Sequence, residues 1–150
     1  MRMIRTRQPQ CMLYTAAMLL DANPNDLVEI LGHSGTESVY ESDDPNKRLR
    51  GFHIQEMVEL FLEHEKALVR VERYPIIGPD FGQAIDAFRD SDQRFWDRIW
   101  GNEAYLLGSS VSGFHAVAWD GERVYDPRGY VYSLPSDKFD PKEAWLVYDI

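Results

Sequence analysis

One cysteine, Cys11, and four histidines are the residues of this 150-residue chain best suited to nucleophilic and acid–base chemistry. Cys11 follows Pro9-Gln10 and opens the apolar run Met12 to Leu20. Proline is favoured at or just before a helix start, so the thiol stands at a predicted helix N-terminus. There the positive end of the helix dipole favours thiolate over thiol. Judged by position alone, the cysteine reads better as a small buried hydrophobe.

The segment Gly113-Phe-His-Ala-Val-Ala-Trp-Asp-Gly-Glu-Arg-Val-Tyr-Asp-Pro127 changes that balance. Asp120-Gly121 signals a two-residue turn between strands. With those two residues as the loop, His115 stands opposite Asp126. With Gly121-Glu122 as the loop, Asp126 faces Val117 and His115 is its diagonal neighbour. Side chains alternate with period two, so both registers put His115 and Asp126 on one face, where they can hydrogen-bond. Such a bond fixes the imidazole tautomer and stabilises its protonated form. Cross-strand His/Asp pairs also occur as plain ion pairs, and Asp126-Pro127 is an ordinary turn opener. Together with Cys11, however, the pair supplies nucleophile, base and orienter.

The other histidines read structurally. His33-Ser34 follows a helix stop and is expected to make turn hydrogen bonds; His53 begins a helix and His64 ends one, where an imidazolium is favoured. No metal-ligand spacing such as His-Glu-x-x-His occurs, the acidic pairs lack a calcium-loop pattern, and no phosphate-cradling glycine loop exists. No cofactor or metal is expected.

These residues need elements to hold them. Residues 11–21 carry strong helix formers, apolar nearly all round, which marks a helix inside the protein. Asn23-Pro24-Asn25-Asp26 offers cap chemistry for a short helix, Leu27 to Leu31, ended by Gly32. Residues 33–51 are polar and turn-rich. A second amphipathic helix runs from about His53 to Glu65, and Ala67 to Arg73 alternates as a strand. Pro75 to Pro79 reads as a connection. Gln83 to Trp100 is helical in period, with a break expected at Asp90-Ser91-Asp92 and with Trp96 and Trp100 expected in the core. Five short strands follow: Tyr105 to Leu107, Phe114 to Trp119, Arg123 to Asp126, Tyr130 to Ser133 and Trp145 to Tyr148. Tyr130 and Tyr132 alternate on a strand and could line a cleft, but read better as an ordinary sheet face. Helices early and strands late argue for an α+β fold with an antiparallel sheet.

Size and charge bound the function. The length suits a single domain, residues 1–150. With 16 basic and 25 acidic residues the net charge is −9, so nucleic acid and anionic membrane are poor partners. A lone cysteine cannot form an internal disulfide, which suits a reducing compartment. Arg2, Arg5 and Arg7 before the run 12–20 imitate a signal peptide. Pro9-Gln10 interrupt the pattern, Asp21 closes it and no small-x-small cleavage site follows, so a cytoplasmic protein is expected. The run is also shorter than the ~20 residues that span a bilayer.

Gln8-Pro-Gln-Cys11 entering an apolar helix, with His115-Ala-Val-Ala-Trp119 and Tyr125-Asp126-Pro127 much later, resembles the papain-like cysteine peptidases, specifically the C39-like (bacteriocin-processing-like) branch. Gly32-His-Ser-Gly35, Gly51-Phe-His-Ile-Gln-Glu56 and Glu143-Ala-Trp-Leu146 also resemble small C39-like proteins of bacteria and their viruses. The resemblance implies N-terminal helices packed on a C-terminal antiparallel sheet. It implies Cys11 as nucleophile, His115 as base, Asp126 as orienter and Gln8 as a side-chain donor to the oxyanion hole. Gln8 lies three residues before Cys11, closer than the family has it, and Gln10 adjoins the thiol where an Asp-Cys-Gly context is usual. The expected activity is hydrolysis of a peptide or other amide bond through an acyl-enzyme, with a peptide or protein as substrate. The alternative is an inactive or weak papain-like scaffold that binds a protein partner, a host protein if the chain is viral.

Overall fold

The structure, a computed structural model, describes residues 1–6, 9–74 and 81–150. The elements run α1 (Cys11–Leu20), α2 (Pro24–Leu31), α3 (Ile54–Glu63), β1 (Lys66–Glu72), α4 (Phe81–Ile99), β2 (Ala104–Ser110), β3 (Gly113–Trp119), β4 (Val124–Asp126), β5 (Tyr130–Tyr132) and β6 (Asp140–Asp149), with a 3₁₀ turn at Pro45–Arg48. This is an α+β fold around a six-stranded sheet of order β1-β6-β2-β3-β4-β5, every neighbouring pair antiparallel. The connection Pro75 to Pro79 lies outside the described residues.

Local signals set the helix ends. The Asn23 side chain accepts the Asn25 N–H at 2.9 Å, and Pro24 takes the first helical position, so α2 starts three residues earlier than its apolar pattern suggests. Gly32, at φ +82°, ends α2 by donating its N–H to the Val28 carbonyl. His53 caps α3 reciprocally: its Nδ1 accepts the Gln55 N–H at 3.1 Å, and its own N–H donates to Glu56 at 2.8 Å.

The break expected at Asp90-Ser91-Asp92 does not occur, and α4 runs through it. Those polar residues dock the helix instead. Ser91 Oγ donates to the Arg73 carbonyl at 2.8 Å, and Arg73 Nε donates to Asp92 at 2.6 Å, just beyond β1. Trp100 corrects a second expectation. It is 58% exposed, while Phe95 and Ile99 carry the buried contacts of α4.

The sheet is covered on both faces. One core joins α1, α2 and α3 to Tyr105, Leu107, Ala116 and Ala118; the other joins Phe95 and Ile99 of α4 to Leu106, Val117, Trp119, Val124 and Leu146. Alternation along β2 and β3 thus sends successive residues into different cores, and both strands read as nearly continuous apolar runs. Ala16 and Ala17 of α1 and Ala116 and Ala118 of β3 are fully buried in the first core. Small side chains on both elements let the helix lie close on the sheet. Tyr105 then pins the first turn of α1 by donating its hydroxyl to the Met12 carbonyl at 2.6 Å.

Among the described residues, no helix is long and apolar enough to cross a membrane.

Candidate active site

Cys11 is the first residue of α1, after Gln10 in the cap position. The first intrahelical bond runs from the Tyr14 N–H to the Gln10 carbonyl, so helix geometry leaves the N–H of Cys11 free of any partner within α1. The thiol is partly exposed. It opens on a cleft of about 550 Å³ whose lining includes Met12, Phe52, Phe114, His115 and Arg128.

The β3–β4 hairpin adopts one of the two registers compatible with its sequence. Ala118 pairs with Tyr125 and Trp119 with Val124. The Asp120 N–H donates to the Arg123 carbonyl at 3.1 Å, so Gly121-Glu122 form the loop, not Asp120-Gly121. The Asp120 carboxylate explains the choice, because it accepts the N–H groups of Glu122 and Arg123 at 2.9 and 2.8 Å. Gly121 supplies the positive φ, +103°, that the turn demands. Extending this register puts Asp126 opposite Val117 and diagonal to His115.

The two side chains meet. His115 Nε2 and Asp126 Oδ1 lie 2.8 Å apart, each residue 2% exposed. The edge of one ring meets the face of the other between His115 and Phe139, with centroids 6.1 Å apart. With Nε2 on Asp126, Nδ1 is the ring nitrogen left for another partner, and Cys11 lines the same cleft as the ring. The carboxylate has further donors: the Arg128 N–H reaches Oδ1 at 3.0 Å and the Tyr132 hydroxyl reaches Oδ2 at 2.9 Å.

Burial disfavours charge on His115, but the Asp126 hydrogen bond and carboxylate charge, with nearby Cys11 adding to them, outweigh it, and the ring titrates above the ordinary 6.5. Burial likewise opposes ionised Asp126, yet the donors from His115, Arg128 and Tyr132 hold it below the ordinary carboxylate value. Burial and the neighbouring Asp126 push Tyr132 far above the ordinary phenol, so it stays a neutral donor. Tyr105 is pushed up by burial, with the nearby Cys11 adding to it. Together these groups hold an ionised carboxylate behind an imidazole that takes up a proton readily, near a sulfur. That arrangement can move a proton between Cys11 and a group bound in the cleft.

The sequence-predicted residues therefore divide. His115 and Asp126 are hydrogen-bonded, and Cys11 lines the same cleft as His115. Gln8 lies outside the described residues. Gln10 is buried and its side-chain amide donates to the Ser34 carbonyl at 2.8 Å, which ties the helix start to the loop after α2. Tyr132 and Arg128 were missed by sequence reasoning. The Tyr132 signal was available, since a tyrosine two strands from His115 on an alternating edge can reach a shared carboxylate; Arg128 has only its place after Asp-Pro.

His33 does make the expected turn bond, its Nδ1 accepting the Gly35 N–H at 3.1 Å. Nε2 therefore carries the proton and donates to Glu56 at 2.7 Å, a long-range bond that no local pattern announced. The ring stacks on Phe52 with centroids 4.8 Å apart, and Phe52 in turn lines the cleft. Gly35 is required there, because a Cβ would collide with the Phe52 ring. His64, at the end of α3, donates Nδ1–H to the Leu60 carbonyl at 2.8 Å.

The chain matches no protein-family model and no curated protein.

Proposed function

We propose that the protein is a cysteine-dependent hydrolase of peptide or other amide bonds, built on a papain-like scaffold and acting through Cys11, His115 and Asp126. One observation carries this reading. A buried imidazole–carboxylate pair at 2.8 Å shares an open cleft with the partly exposed sulfur at the head of α1.

In the proposed reaction, Cys11 sulfur attacks the substrate carbonyl carbon as its proton rests on His115 Nδ1. The carbonyl π electrons move to oxygen, beside the Cys11 N–H and the positive end of α1. Collapse breaks the C–N bond, and His115 gives the proton to the departing amine. A water then loses a proton to His115 and attacks the thioester, releasing the acid and restoring the thiol. Asp126 holds the ring in the required tautomer throughout. An amine in place of water makes the same acyl-enzyme the intermediate of a transferase.

A second reading, a peptide-binding module without turnover, draws on Gln10. That amide, adjacent to the thiol, is engaged with Ser34 and leaves the backbone as the described donor at the oxyanion position. Losing one such donor costs ~10²–10³ in rate in other hydrolases. The two readings part under a library of internally quenched peptides. Hydrolysis that falls by ~10³-fold or more in both Cys11→Ala and His115→Ala supports the enzyme. An acyl adduct on Cys11, seen by mass spectrometry on acid quenching, supports the intermediate. Peptide retention with no cleavage and no adduct supports the binding module.

A further inference from the structure

We propose that Arg128 makes the cleft selective for a carboxylate placed next to the carbonyl that Cys11 attacks. This inference rests on the reading of Cys11 as nucleophile and names the substrate chemistry that such a site would favour.

The residue is half-buried and lines the same cleft as Cys11 and His115. Its backbone N–H donates to Asp126 Oδ1, so its position is tied to the imidazole–carboxylate pair. Its guanidinium rests on neutral oxygens: one nitrogen donates to Ser110 Oγ at 3.3 Å and another to Ser112 Oγ. Arg2, Arg50, Arg70 and Arg73 each lie within 4.0 Å of a carboxylate, while exposed Arg123, among the described residues, does not. Arg128 has none at that distance among the described residues. A guanidinium has five N–H donors in a planar fork, and the two serines take two of them. The remainder are available to an acceptor in the cleft, and a planar carboxylate engages them with two parallel bonds.

A second cation lies near the turn that carries Arg128. The Arg5 side chain packs on Gly129, where φ is +102° and an added Cβ would lie 3.0 Å from Arg5 Cδ. The Thr6 N–H donates to the Pro127 carbonyl at 2.8 Å, which holds the N-terminal segment beside the 127–129 turn. In a protein of net charge −9, this wall of the cleft attracts an anion where the average surface repels one.

The test compares two thiol reagents that differ in charge, iodoacetate and iodoacetamide. The readout is the ratio of their rates at Cys11 at low ionic strength. Arg128→Gln should lower the iodoacetate-to-iodoacetamide ratio by ~5-fold, the effect of about one unit charge at about 4 Å in high dielectric. Arg123→Gln, at the exposed turn, makes the same change in net charge and should leave the ratio near wild type. Arg128→Lys should restore most of it. Protection of Cys11 from iodoacetamide then separates the sources of the carboxylate. N-acetylaspartate α-amide, whose side-chain carboxylate is free, probes an acidic side chain, N-acetylglycine probes a chain terminus and N-acetylasparagine amide is the neutral control.

A ratio that falls no further in Arg128→Gln than in Arg123→Gln overturns the proposal. So does protection by neither carboxylate beyond the neutral control. Failure of the underlying nucleophile reading looks different: iodoacetamide alone would react at the same rate in wild type and His115→Ala. A wild-type thiol inert to both reagents removes both readings together.

Discussion

The hydroxyl of Tyr132 donates to Oδ2 of Asp126 at 2.9 Å, on the opposite oxygen from the one that meets His115 at 2.8 Å. Asp126 is thereby held from both sides in a pocket that leaves it 2% exposed. The carboxylate cannot swing away from the ring without losing a charge-assisted bond in a place that water reaches poorly. Tyr132 thus acts as a positioning residue.

Tyr132→Phe should therefore weaken the fold by about 1.5–3 kcal/mol at neutral pH, the range for a hydrogen bond to a charged group. Loss of that donor raises the folded-state value of Asp126 towards the ordinary one. The depressed value stabilises the fold above the unfolded-state pKa and ceases to do so as pH falls through the folded one. Urea denaturation should accordingly show the gap between wild type and variant narrowing in acid. A gap that is unchanged down to the folded-state titration of Asp126 would separate Tyr132 from this carboxylate.

His115 should titrate above 6.5 when its ring resonances are followed by NMR. Asp126→Asn should bring the midpoint down, because the largest favourable partner of the imidazolium is removed. The corresponding stability term is present below the unfolded-state value of about 6.5. It fades as pH rises through the higher folded-state value, since the raised pKa means the folded form binds the proton more tightly. An identical midpoint in wild type and Asp126→Asn would contradict the 2.8 Å contact.

Alkylation of Cys11 by iodoacetamide at pH 6–7 should slow by ~10-fold or more in His115→Ala, because an unassisted thiol with a value of about 8.5 is only a few per cent thiolate there. Circular dichroism should show the sheet retained. His115→Gln, which keeps a polar side chain but no titratable ring, should be equally slow. Rates matching wild type in both variants would mean that the ring does not act on the sulfur.

Gly108 pairs with His115 across β2–β3, at the point where β2 and β6 shift register. A Cβ there would collide with the backbone carbonyl oxygen of Asp140, and backbone cannot rotate aside as a side chain can. Gly108→Ala should cost about 1–3 kcal/mol in chemical denaturation. It should also slow Cys11 alkylation, because the strand that displaces is the neighbour of the one carrying His115. A variant as stable as wild type would show that β6 yields there at little cost.

Disruption of the His33–Glu56 bond offers a contrast. Glu56→Gln keeps one acceptor oxygen, for either the Nε2–H of His33 or the His53 N–H, whereas Glu56→Ala removes the acceptor of both. Glu56→Ala should destabilise by about 1–3 kcal/mol, with Glu56→Gln closer to wild type, as measured by thermal and urea unfolding. Equal losses in the two variants would mean that a single acceptor oxygen retains nothing, so that Glu56 acts only through the full carboxylate.

Much of this molecule is written locally. Asn23-Pro24 and Gly32 set α2, the apolar run after Gln10 sets α1, and Asp120-Gly121 announces the hairpin, because caps, turns and periodicity act over a few residues. The face shared by His115 and Asp126 also follows from alternation alone, in either register. Other features were beyond local reading. The polar cluster Asp90-Ser91-Asp92 reads as a helix break until Arg73, distant in sequence, provides partners for it. His33 reads as a turn residue until α3 brings Glu56 against its ring.

Residue type and spacing alone determined an α+β chain with a cysteine at a helix head and a histidine and an aspartate on one strand face. Only tertiary packing decided that the sulfur lines the same cleft as the ring, that Tyr132 completes the carboxylate's bonds, and that Arg128 enters the cleft among serines. The reason is range. Caps and alternation depend on neighbours along the chain, whereas these contacts depend on how closely α1 seats on β3 and how β5 folds back on β4. That seating is set by buried volume and hydrogen-bond satisfaction summed over residues far apart in sequence.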